Sequence, residues 1–194
     1  MSGVEAVLNF WFGTPGSEDT SYAGRRKLWF GKSSEVDEYI RTAFYTLYTQ
    51  AALGELDGWQ AQPESCLALI LLLDQFPRNL FRQKPQAFAT DEQALRVAKW
   101  AIAHGFDQQL NPLQRLFIYL PLEHSEVLED QHKAVALIEA LVQEDPALAD
   151  PYDYALRHRD VIARFSRFPH RNEILGRIST PEEEVFLKQP GSRF

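Results

Sequence analysis

Ser34-Glu35-Val36-Asp37-Glu38-Tyr39-Ile40-Arg41-Thr42-Ala43-Phe44-Tyr45-Thr46-Leu47-Tyr48-Thr49-Gln50-Ala51-Ala52-Leu53-Gly54 decides the fold class. Val36, Ile40, Phe44, Leu47 and Tyr48 fall at helical spacing and form one apolar face. Ser34 can cap the start, and Gly54 suits a left-handed stop. Working outward, the same punctuation recurs. Val4 to Phe12 reads as a short helix closed by Gly13, and Thr14 to Tyr22 as a loop rich in Gly, Ser and Thr. Pro63 fits the first position of a helix that ends at Pro77. Thr90 or Asp91 starts a helix over Glu92 to His104. Asn111-Pro112 opens one that breaks at Pro121, residues 122 to 143 are helical by period, and Asp150-Pro151 opens one that Pro169 ends. Thr180-Pro181-Glu182-Glu183 carries the reciprocal capping pattern of a helix start. No stretch sustains the alternation of a strand. The expected architecture is one all-α domain over residues 1–194, of antiparallel helix pairs, loosely tetratricopeptide-like between Ala94 and Pro146.

The 194 residues suffice for one buried core, with 45% hydrophobic and 24% charged residues. The formal net charge of −7 makes nucleic acid a poor partner. Cys66 is the single cysteine and sits in the apolar run Cys66 to Leu73, so it reads as a core residue without catalytic reactivity. The run stops at Asp74, short of a membrane span, and the N-terminus lacks the basic start of a signal peptide. The expectation is a cytoplasmic chain with no membrane partner.

Two echoes stand out. Trp11-Phe12-Gly13 returns as Trp29-Phe30-Gly31, which reads as two aromatic helix ends with glycine caps. Gln75-Phe76-Pro77-Arg78-Asn79 returns as Arg167-Phe168-Pro169-His170-Arg171-Asn172. In each, proline stops a helix and an arginine follows at the C-terminus, where a cation is favoured.

Some polar residues break the core pattern. His158 falls on the apolar stripe of Tyr154, Val161, Ile162 and Phe165. His124 shares a face with Leu120, Val127 and Leu128 if the helix resumes after Pro121, and Glu123 lies beside it. Asp74 precedes Arg78 by one helical turn. Inward histidines among carboxylates and arginines suit proton transfer, and equally suit a buried network that locks helices in register. Residues 120 to 150 are strongly acidic, whereas residues 151 to 180 hold six arginines and no lysine. Arginine forks suit carboxylates and phosphates, or internal ion pairs with the acidic helix before them. Glu129-x-x-His132 has the spacing of two metal ligands but no second copy, so no metal or other cofactor is expected. No Gly-rich phosphate loop or nucleophile elbow is present.

Leu71 to Asn79, Tyr119-Leu120-Pro121-Leu122-Glu123-His124-Ser125-Glu126 and Arg167 to Asn172 together resemble a mainly bacterial family, domain of unknown function 924. The resemblance runs from Phe10 to Glu183. It implies a tetratricopeptide-like helical fold and no established activity. Its hallmarks map onto Asp74, Gln75, Arg78, Asn79, Glu123, His124, Ser125, His158, His170, Arg171 and Asn172. The family pattern has Gly where this chain has Ser166, which bears on any close backbone approach there.

Three readings follow. The first is a binding module whose groove holds an anionic small molecule or acidic peptide. Its ligand set is Asp74, Arg78, Asn79, Glu123, His124, His158, His170, Arg171 and Asn172, with Arg164 as an added arginine. The second is a hydrolase or lyase with His124 or His158 as general base, oriented by Glu123 or Asp74. The third is a purely structural polar network.

Overall fold

The computed structural model describes residues 2–14, 16–17 and 20–193, and among these it is all-helical, without a strand. Ser2 and Glu5 form a reciprocal cap on α1 (Gly3–Phe12), which Gly13 closes at a φ of 88°. Ser21 caps α2 (Tyr22–Phe30), closed by Gly31. The Trp-Phe-Gly echo is thus two capped helix ends. Both tryptophans are buried, and Trp29 Nε1 donates to the Trp11 carbonyl at 2.9 Å. Of the expected Thr14–Tyr22 loop, residues 15, 18 and 19 lie outside the described residues.

Ser33, one residue before the expected cap, accepts from the Val36 N–H and starts α3 (Ser34–Ala52). The next helix departs from expectation. α4 (Pro63–Ile70) does not end at Pro77; it widens into a π turn (Leu71–Gln75) and continues as α5 (Phe76–Leu80). Proline has no N–H, so the carbonyl four residues earlier, that of Leu73, loses its helical partner. That carbonyl instead accepts the Thr90 hydroxyl at 2.6 Å, and the Phe76 N–H reaches back five residues to Leu71. A long-range bond thus replaces the local one, and the helix survives its proline.

α6 (Asp91–Ala103) follows. Asn111 and Gln114 cap α7 (Pro112–Glu123), which also runs through its proline. Pro121 lies close to the end, where losing one bond from Phe117 costs little, and the His124 N–H still bonds Leu120 at 2.9 Å. The chain then turns, and α8 (Leu128–Glu144) begins afresh. The expected continuous helix from residue 122 therefore does not form, and Val127 is exposed rather than on a shared face with His124. α9 (Ala149–Phe165) ends at Ser166, not at Pro169. Ser166 adopts the left-handed conformation (φ 55°) and its N–H bonds Ile162 at 2.8 Å. Pro169 instead opens a short 3-10 turn to Arg171. Thr180 and Glu183 cap α10 (Pro181–Leu187) as expected.

The apolar run from Cys66 to Leu73 forms the centre of the core. α1, α6 and α7 pack around α4, and α7, α8 and α9 pack on one another in chain order. Among the described residues no helix is long and apolar enough to cross a membrane. Cys66 is buried, and burial pushes its thiol up to about 12, which makes it inert near neutrality.

Candidate functional site

Asp74 stands on the π turn with a fully buried carboxylate. Three donors converge on it. Gln75 Nε2 donates at 2.5 Å, His124 Nδ1 approaches to 2.7 Å, and Arg78 lies 3.4 Å away. Arg78 also donates to the Asp74 backbone carbonyl. Burial alone would raise this carboxyl, but Arg78, His124 and Gln75 outweigh it and hold Asp74 well below the ordinary carboxylate range. Asp74 is therefore an anion and accepts only. The hydrogen on His124 must sit on Nδ1. Burial and the Arg78 charge hold His124 below the ordinary histidine range, against the pull of Asp74. Near neutrality it is an uncharged imidazole with its lone pair on Nε2. Among the described residues nothing bonds that nitrogen, and the side chain keeps 14% exposure.

The backbone that presents His124 is clamped. Gln131 on α8 donates to the carbonyls of Glu123 and Ser125 at 2.6 and 2.7 Å, satisfying the open end of α7. Ser125 donates its hydroxyl to Asp130, which also binds Lys99, so Ser125 faces away from His124.

Glu123, adjacent in sequence, takes a different partner. It meets His158 of α9 at 3.0 Å and does not orient His124. Its second oxygen is buried without a hydrogen-bond partner. Burial and the nearby Asp74 charge push Glu123 up to about 8, so it is an uncharged acid at neutral pH. His158 donates Nδ1–H to the Tyr154 carbonyl at 2.9 Å, and burial drives it well below the usual histidine range. The close contact therefore joins two neutral groups rather than an ion pair. The two imidazole rings lie 6.4 Å apart.

The proline echo delivers its arginines to one point. Arg78 makes a two-pronged contact with Asp91 at 3.0 and 3.1 Å, and Arg171 reaches the same carboxylate at 3.3 Å. The Arg171 guanidinium lies between the rings of Phe88 and Phe168, at 4.8 and 4.5 Å. Burial lowers Arg171 to about 10, still charged near neutrality, and its Nε has no hydrogen-bond partner. Asp91 and Phe88 were not among the expected residues. His170 stacks at a tilt against Phe168, 5.6 Å between centroids, and burial lowers it to about 3.

The asparagines of the two motifs point elsewhere. Asn79 binds Asp37 of α3 at 2.8 Å, and Asn172 binds Ser179 and Glu183. Arg164 pairs with Glu182 near α10, outside the cluster. Glu129 and His132 join no metal-binding group, and among the described residues no such group is found. The arginine-rich segment does form internal ion pairs: Arg177 reaches Glu126 of the acidic 120–150 stretch, and the other arginines pair with Asp153, Asp160, Glu182, Glu183 and Asp91. Two shallow, open surface depressions lie away from the cluster, one beside Arg157, Phe165 and Phe186, the other beside Tyr39 on α3.

Residues 7–191 match the family model described as a bacterial protein of unknown function, DUF924. The chain belongs to that family. It is also similar to the solved structure of a protein of unknown function from Agrobacterium tumefaciens, with 38% identity and a TM-score of 0.82, covering 95% of this chain and 96% of that one. No curated protein matches. Within this DUF924 chain, position 166 is an exposed helix cap. A glycine there would relieve the left-handed backbone.

Proposed function

We propose that the chain binds a small anionic organic molecule at the rim formed by His124, Arg78 and Arg171. The observation that carries this reading is the meeting of Arg78 and Arg171 on one partly exposed carboxylate, Asp91, beside an imidazole of fixed tautomer. Asp91 occupies the forks as a ligand's carboxylate would. A small molecule is favoured over an acidic peptide because the exposed part of the cluster is small, His124, Arg78 and Asp91 keeping 14%, 22% and 19% side-chain exposure. Asp74, Glu123 and His158 serve as the supporting layer, and Asn79, Asn172 and Arg164 fall outside the ligand set.

Thermal-shift screening of small organic acids, nucleotides and acidic peptides tests it against an Arg171→Gln variant whose fold is checked by circular dichroism. Organic acids should raise the Tm of the wild type and not of the variant. Equal shifts in both overturn the reading.

The Asp74–His124 bond supports a second reading. A buried carboxylate that fixes Nδ1–H leaves Nε2 as a general base, which suits hydrolysis or elimination. A His124→Asn variant that retains ligand binding and loses turnover of that ligand separates catalysis from binding.

A further inference from the structure

The charges of the cluster cancel. Arg78 and Arg171 carry two positive charges, Asp74 and Asp91 two negative ones. Among the described residues Glu123 meets no cation within ion-pairing reach, its one close partner being the neutral His158, and its other oxygen is buried, so near neutrality it is an acid. Next door, Arg177 and Glu126 balance each other. A ligand anion would therefore bring an unanswered charge to a largely buried place, which is costly. If the anion takes the forks from Asp91, the unanswered charge passes to that carboxylate and the sum is unchanged.

One group can answer the charge. His124 holds its Nδ1–H on Asp74 and has an unbonded Nε2 at the exposed edge. The groups facing it are Asp74 and Arg78 from the α4–α5 stretch, Asp91 from α6, His158 from α9 and Glu123 from its own helix. A proton from solvent on Nε2 would place an imidazolium between the Asp74 carboxylate and the incoming anion. We propose that the cluster takes its anion together with one proton, held on His124 Nε2, and so selects singly charged carboxylates over doubly charged phosphates. This rests on the anion-binding reading above and adds to it the charge state of the ligand.

The test uses protein labelled with nitrogen-15 in its histidine rings. It is titrated separately with acetate and with inorganic phosphate between about pH 6 and about pH 9, a range that spans the ordinary histidine and the raised Glu123 carboxyl. The half-saturating acetate concentration should rise about tenfold per pH unit above the His124 pKa of the free protein. Saturation should move the His124 Nε2 resonance to its protonated position. His124→Asn, which keeps an N–H for Asp74 and has nothing to titrate, should lose the slope. Glu123→Gln should keep it, because the proton is not taken up there. Acetate binding of constant affinity, phosphate binding tighter than acetate at the alkaline end, or loss of the slope in Glu123→Gln would each overturn the proposal while leaving the anion site standing. Failure of both anions to perturb His124 would overturn the anion site and the proton uptake with it.

Discussion

The two carboxylate–imidazole pairs differ in a way their burial does not explain. Asp74 and Glu123 are 0% and 4% exposed, and each lies within 3.0 Å of a histidine nitrogen. Yet Asp74 is an anion and Glu123 an acid. The difference is the number of donors. Asp74 receives His124, Gln75 and Arg78, whereas Glu123 has one neutral ring against one oxygen and nothing against the other. In a dry interior the count of convergent N–H groups sets the charge, and the charge decides which pair can be spared.

The largest effect should come from Asp74→Ala. It takes one of the two carboxylates from Arg78, which keeps Asp91, and leaves the buried His124 and Gln75 donors unmet, so about 2–4 kcal/mol of stability should go in urea unfolding. A loss under about 1 kcal/mol would mean that the Asp74 carboxylate is not the anchor described.

Glu123→Gln should reveal itself in the pH dependence of stability. Glu123 titrates at about 8 in the fold against an ordinary 4.5, so the folded state holds a proton that the unfolded chain releases. Its contribution is full below the ordinary value and is lost as pH rises towards about 8, at roughly 1 kcal/mol per pH unit. The variant should lose that slope and exceed the wild type in Tm at alkaline pH. Asp74 has the opposite sign, its contribution falling as acid protonates it. An unchanged slope in Glu123→Gln would erase the contrast between the pairs.

Replacing both members of the neutral pair sharpens the comparison further. Glu123→Leu with His158→Phe should cost only about 1 kcal/mol in equilibrium unfolding, because both polar partners leave together. The same treatment of Asp74 and His124 would leave Gln75 without its acceptor and Arg78 with one carboxylate in place of two.

The smallest effect belongs to the other pair of like regions, the two Phe-Pro motifs. Only the second follows a left-handed residue, and Ser166→Gly should add about 0.5–1 kcal/mol to stability by relieving it. No gain in Tm would mean that the exposed cap is not strained.

These regions also mark how far the sequence could be read. Apolar spacing and helix caps are local signals, so the all-helical class and most helix starts were legible. The fate of Pro77 was not, because Thr90, distant in sequence, supplies the bond that keeps the helix whole. The repeated arginines were visible, but their meeting point was hidden. Asp91 reads as an ordinary first-turn acid of α6, and Phe88 as a residue of a polar connection. Asn79 and Asn172 seemed to belong with the arginines beside them. Neighbouring residues on a tight turn point in different directions, and both amides went to other helices. Gln131 gave no sign at all, since a glutamine in an amphipathic helix is commonplace.

Asp74 sits inside the most buried stretch of the chain, on the π turn that carries the helix through to Pro77. The residue that sets the chemistry is thus also part of what holds the molecule together. Exchanging it disturbs the interior and the polar cluster together. The margin is freer: Phe88, Asp91 and His170 are only partly buried, so exchanging them disturbs the interior less. Substitutions at those three positions are therefore the way to alter the exposed edge of the cluster while leaving its centre in place.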